Sequence, residues 1–150
     1  MKTLFCLLLL SFVLFSCEDD LEDHRALYNV LAGEWNITQI TYPLNDSTVN
    51  VSGKTVFTAC EVQNNGCPGY FSIYDETINF TYQAHPFFDA TSQITIGPTS
   101  GQKDNALKLQ VSTFNILEID RNNLTIDLAY CAFDAENNCT TVHRHLVMSR

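Results

Sequence analysis

Few residues in this chain have the type and spacing that chemistry requires. Four cysteines, Cys60, Cys67, Cys131 and Cys139, form an even set, and in an exported chain two disulfides are the natural expectation. Four cysteines allow three connectivities. The local pairs Cys60 with Cys67 and Cys131 with Cys139 are preferred, each closing a loop between neighbouring strands. The rival is a zinc site recruiting His143 and His145, but six and seven intervening residues between the cysteines do not match the usual two-to-four-residue knuckles. His143 and His145 on one strand face would bring two imidazoles together, as metal sites often require. The preferred reading makes both solvent-facing, with Arg144 between them pointing inward. His24 and His85 lie elsewhere, in a charged segment and beside Pro86. There is no Gly-x-Ser-x-Gly elbow, phosphate-cradling Gly loop or His-Glu-x-x-His pair. The expectation is a non-enzyme with no catalytic residues, no cofactor and no resident metal.

The first segment addresses the protein rather than shaping it. After Met1-Lys2-Thr3, the run from Leu4 to Phe15 is almost wholly apolar, and at twelve residues it is shorter than the roughly 20 needed to span a bilayer as a helix. It reads as a signal-peptide core. The run closes with Leu14-Phe15-Ser16-Cys17, which resembles a bacterial lipobox, and the resemblance implies that Cys17 becomes the lipidated N-terminus. An ordinary secretory signal is the alternative, and it too exports the chain. Glu18, Asp19, Asp20, Glu22 and Asp23 crowd the next six residues. That density of charge suits a solvated tether. It is also similar to the acidic export signal of surface lipoproteins in Bacteroidetes-type bacteria, which implies an outer-membrane, lipid-anchored protein at the cell surface, or else one facing the periplasm. The divisions expected are residues 1–16 as signal peptide, 17–30 as tether and short helix, and 31–150 as the folded domain.

The balance of 8 Lys and Arg against 17 Asp and Glu gives a net charge of -9, with 45% hydrophobic and 17% charged residues. That composition describes one ordinary globular domain. The acidic surplus excludes nucleic acid as a partner, because phosphate binding needs clustered Lys and Arg.

The domain's elements must be mostly strands. Residues 21–31 suit a short helix with Ala26, Leu27, Val30 and Leu31 on one face, and after Trp35 the hydrophobic period becomes two. The cleanest alternation is Leu107 to Ser112, burying Leu107, Leu109 and Val111. Leu117 to Asp120 and Leu124 to Leu128 flank a polar turn at Asn122-Asn123, which would set Ile119 opposite Ile126, Leu117 opposite Leu128 and Glu118 opposite Asp127. The remaining strands are expected at 34–42, 55–62, 69–74, 77–83, 92–96 and 140–148, about nine in all. With no helices between them, an antiparallel barrel or a sandwich follows.

Gly33-x-Trp35, preceded by a short helix and followed by a strand, resembles the opening of lipocalin-like domains, as does the later pattern from Phe114 to Ile126. The resemblance implies an all-β fold, an antiparallel up-and-down barrel of about eight strands of the lipocalin/calycin kind. It implies that Gly33 permits the opening turn and that Trp35 plugs the closed end. It further implies a basic side chain of the last strand stacked on the indole, for which Arg144 is the first candidate, ahead of Arg121 and Arg150.

Such a barrel holds either packed side chains or one small ligand. The first reading is therefore a membrane-anchored carrier of a small apolar ligand, with Tyr70, Tyr74, Phe80, Tyr82, Phe87 and Phe88 as candidate contacts. The alternative is a structural or protein-interaction lipoprotein with a filled barrel and a surface protein partner docking on His85-Pro86-Phe87-Phe88. Inhibition of a secreted protease is a weaker third reading.

Overall fold

A computed structural model describes residues 23–61, 66–86, 92–99, 107, 110, 112–133 and 136–150. The lipobox and most of the acidic tether, with Cys17, lie outside the described residues, as do Phe87 and Phe88. Helix α1 spans residues 23–31. Eight strands follow: β1 (Gly33–Tyr42), β2 (Ser47–Phe57), β3 (Cys67–Ile73), β4 (Glu76–His85), β5 (Gln93–Pro98), β6 (Ser112–Ile119), β7 (Asn123–Phe133) and β8 (Cys139–Ser149). Each pairs antiparallel with the next, and β8 pairs with β1, closing an up-and-down barrel. Closure leaves no edge along the ring, and the period-two pattern then needs only one inside. No helix among the described residues is long and apolar enough to cross a membrane.

The inward set reads off the alternation. Phe71 and Ile73 of β3, Ile78, Phe80, Tyr82 and Ala84 of β4, and Ile94 and Ile96 of β5 are all buried. In β1 the parity shifts once, at a bulge between Ile37 and Gln39, so that Trp35 and Ile37 point inward and then Ile40 does. Thr38 within the bulge donates its hydroxyl to the Val147 carbonyl at 3.3 Å.

Antiparallel order collects the starts of β1, β3, β5 and β7 at one end of the barrel. Helix α1 covers that end with Leu27, Tyr28 and Leu31 buried. Tyr28, rather than Ala26, completes the helix's apolar face: its ring lies 5.7 Å from that of Tyr82, and its hydroxyl accepts the Ala84 N–H at 2.9 Å. The helix thus contributes Leu27, Tyr28 and Leu31 to the barrel's core.

At the opposite end, the mouth, the register runs out unevenly. β3 pairs only with Gly53 to Phe57 of β2, and β6 reaches only Asp127 of β7. The hairpins β1–β2 and β7–β8 thus project past the ring as two arms, leaving Leu128–Phe133 without a β6 partner among the described residues. The disulfides join Cys60 to Cys67 across the β2–β3 connection and Cys131 to Cys139 within the β7–β8 arm. Both are the local pairs expected from sequence.

Three local expectations are corrected. Among the described residues eight strands form where nine were expected: Leu107 sits in a turn and packs into the core, Leu109 and Val111 lie outside the described residues, and β6 starts at Ser112, where pairing with Ile96 of β5 begins. Strand β2 starts eight residues before the expected Thr55: its first half lies in a projecting, mostly exposed arm, where the only alternating apolar residues are Val49 and Val51, too short a signal to mark a strand. The β6–β7 register is also shifted, with Ile119 opposite Leu124 and Ile116 opposite Ile126. The cause is the Asp120 carboxylate, which accepts the N–H groups of Asn122 at 2.6 Å and Asn123 at 2.8 Å and so moves the turn back by one residue. A bulge at Leu117 then leaves that side chain 46% exposed. The like-charge pair of Glu118 and Asp127 is avoided, and Glu118 accepts the Thr125 hydroxyl instead.

Candidate functional site at the barrel mouth

The sealed end is built around the two motif residues. Gly33 has φ 123°, a conformation that glycine alone adopts without strain. Trp35 is fully buried and donates its indole N–H to the Leu31 carbonyl at 2.8 Å. The guanidinium above its ring is that of Arg150, at 4.1 Å from Arg150 Cζ to the ring, and not that of Arg144. Register explains the correction. Asn36 pairs with Ser149, which puts Trp35 level with Arg150, whereas Arg144 lies six residues away along β8, roughly 20 Å at strand rise. Arg150 Nη2 also donates to the Val30 and Ala32 carbonyls at 2.6 and 2.7 Å, clasping the C-terminus of α1, where a cation is favoured.

Above this clasp the interior is filled by rings. Phe57, Phe71, Phe80 and Tyr82 are fully buried, with neighbouring centroids 4.7 to 5.6 Å apart in the Phe71–Phe80, Phe57–Tyr82 and Phe57–Phe80 pairs. The Tyr82 hydroxyl donates to the Thr58 carbonyl at 3.0 Å, and burial, with a smaller effect of Tyr28, pushes its phenol up to about 12. Gly69 makes room for this packing: a β-carbon there would stand 2.5 Å from Phe80 Cε2. Of the candidate ligand contacts, Phe80 and Tyr82 are thus core residues. Tyr70 alternates onto the outer face between the inward Gly69 and Phe71, and Tyr74 lies 54% exposed in the β3–β4 turn. The four do not line a common space.

Partial exposure of inward side chains begins in the mouth half. Tyr42, Tyr130, Val142 and Arg144 are half-buried there, above the buried Leu128. The register that sets Thr41 against His145 brings Tyr42 level with Arg144, while Leu128 faces Arg144 across β7 and β8. The Arg144 guanidinium lies 4.3 Å from the Tyr130 ring centroid and 5.8 Å from that of Tyr42. Its Nε–H is buried with no hydrogen-bond acceptor among the described residues. Tyr42 and Tyr130 were not among the sequence candidates. Their signal was the alternation continuing from Leu128 to Tyr130, readable only once the facing strand was known.

On the outer face of the same strands, His143 Nδ1 lies 2.9 Å from Asp127 Oδ2, and His145 Nε2 lies 3.8 Å from Oδ1. The two imidazoles therefore face outward on either side of the inward Arg144. Among the described residues no group of three His, Cys, Asp or Glu could hold a metal ion, and the four cysteines are consumed by disulfides. Of the expected docking patch, His85 and Pro86 are half-buried. Burial, with a smaller contribution from His24, lowers the His85 imidazole below its ordinary value, and its Nε2 lies 3.2 Å from the Thr95 hydroxyl. Compared with known proteins, the chain matches no family model, no curated protein and no solved structure.

Proposed function

We propose that this protein is a lipocalin-like lipoprotein, held to the bacterial outer membrane through Cys17, that binds a small apolar ligand in the mouth half of its barrel. The observation that carries the reading is the contrast along the barrel axis. Rings and α1 fill one half, whereas Tyr42, Tyr130 and Val142 point inward yet stay half-buried in the other. An apolar molecule resting on these side chains would remove their remaining area from water at about 25 cal/mol per Å². The anchor rests on sequence: an apolar signal core ending in Ser16-Cys17, followed by an acidic tether that suits presentation at the cell surface. A lipidated chain carries several acyl chains, enough for stable attachment.

A second reading, a non-catalytic interaction lipoprotein, draws on the filled lower half and on Leu44 and Val49, exposed at 69% and 46% on the projecting β1–β2 arm. Native mass spectrometry on the full chain, gently purified from its own envelope and followed by organic extraction, separates the two. A small apolar molecule recovered at near one per chain supports the carrier. A clean mass, unchanged on adding apolar probes, transfers the weight to the interaction protein. Cys17→Ala should release the chain to the soluble fraction, and continued membrane retention would sink the anchor.

A further inference from the structure

We propose that Arg144 is the recognition residue for a carboxylate, so that the ligand of the mouth is an anionic amphiphile: an apolar tail on Tyr42, Tyr130 and Val142 with its acid group on the guanidinium. The inference rests on the carrier reading and narrows its ligand class. Arginine is costly to bring into an apolar barrel, and an unmet N–H there leaves part of that cost uncompensated. Nevertheless Arg144 points inward, with its Nε–H buried and lacking an acceptor among the described residues.

The neighbours decide what can satisfy it. Tyr130 and Tyr42 lie within cation–π range of the guanidinium, at 4.3 and 5.8 Å, so aromatic surface is what the protein offers it. A ring face accepts charge but cannot accept the in-plane hydrogen bonds of Nε and Nη. A carboxylate can, meeting both in a side-on fork. The nearest acidic residue in register, Asp127, is turned to the outer face by strand alternation and is engaged by His143 and His145. Place in the fold agrees as well. The site lies at the mouth, where β6 stops short of Leu128 and the β7–β8 arm, held by Cys131–Cys139, carries both Tyr130 and Arg144. A headgroup on Arg144 would leave its tail along Tyr130 and Val142, which pair with each other one step further out on the same inner face. Since the chain is acidic overall, at -9, general attraction of anions is not an alternative explanation for selective binding.

The test compares two ligands of matched size, octanoate and octanamide. Each is titrated calorimetrically into the full chain held in lipid nanodiscs, with empty discs subtracted. Octanoate should bind at least roughly tenfold more tightly, the loss expected when one charge-assisted hydrogen bond is removed. R144Q should bring octanoate to the level of octanamide. R144K, which keeps the charge but not the fork, should lose several-fold of the preference and serves as the decisive variant if R144Q fails to melt cooperatively. Equal binding of the two ligands by the unaltered chain, or a preference that survives in the variants, overturns the role of Arg144 and leaves the apolar carrier standing. Failure of both ligands to bind overturns the carrier reading together with this one.

Discussion

Replacing Arg150 with alanine should be among the most damaging single changes near the chain's end, although that residue is exposed. The guanidinium makes hydrogen bonds of 2.6 and 2.7 Å to the Val30 and Ala32 carbonyls and lies 4.1 Å from the ring of fully buried Trp35. Hydrogen bonds to a charged group contribute about 1.5–3 kcal/mol each. Exposure pulls both toward or below the lower end of that range. Stacking adds about 0.5–1 kcal/mol. The sum is a loss of about 2–4 kcal/mol, a large share of the roughly 5–15 kcal/mol that holds an ordinary domain together. Urea unfolding followed by Trp35 fluorescence measures it, provided that the slope with denaturant is unchanged. R150K should lose about half as much, keeping the charge near the helix terminus but not the planar fork. Arg144→Ala is the internal control. It removes an N–H that has no acceptor among the described residues, so the gain from deleting an unmet donor offsets the lost contact with Tyr130, and the net cost should stay under about 1 kcal/mol. An R150A loss below about 1 kcal/mol, or an R144A loss exceeding it, would refute the assignment of the clasp.

Three further outcomes are expected. Replacing both members of a disulfide by serine should cost about 2–3 kcal/mol for either pair, because sequence separations of 7 and 8 close only short loops; intact-mass analysis with thiol labelling should find all four sulfurs blocked until reductant is added. Gly69→Ala should destabilise by about 1–3 kcal/mol in thermal melts, since its β-carbon would stand 2.7 Å from the Val56 carbonyl, which is backbone and cannot readily step aside; a neutral effect would contradict this close approach of β2 to Gly69. The Asp120 carboxylate, accepting N–H groups from Asn122 and Asn123, should titrate below its ordinary 3.8 by carbon NMR. Because its folded value lies beneath the unfolded one, its contribution is present above about pH 3.8 and is lost as pH falls through the folded value. A midpoint at or above 3.8 would contradict the turn.

The elements readable in the sequence were those whose signal is local. Trp35 and the period-two run after it announced β1, and Thr77 to Gln83 marked β4 with nearly its observed bounds. The local cysteine pairs, preferred among three connectivities, are those the structure forms. Where the signal depended on distant chain, reading failed. The first half of β2 is mostly exposed because its arm leaves the ring, so Ser47 to Ser52 carries only Val49 and Val51 as alternating apolar residues, too few to announce a strand. Leu107 to Ser112 alternates cleanly, yet its Leu107 is buried from a turn, because burial demands a side chain's arrival in the core and not a strand to carry it. The β6–β7 register turned on which of three polar residues closed the turn, and a single carboxylate decided it.

The candidate site divides in the same way. Composition and alternation by themselves determined an acidic, strand-built chain with one inner face, an even set of four cysteines and an arginine flanked by two outward histidines on its last strand; the structure chose the local cysteine pairs among three connectivities. They could say that Arg144 points inward, since the side-chain period of a strand is two. They could not say what it points at, because the answer lies in the stagger between β8 and strands β1 and β7, which is set by closure of the whole ring. That stagger put Arg150 over Trp35 and left Arg144 at the mouth beside Tyr42 and Tyr130. Two arginines six residues apart, alike to sequence, thus acquire different tasks by their height in the barrel.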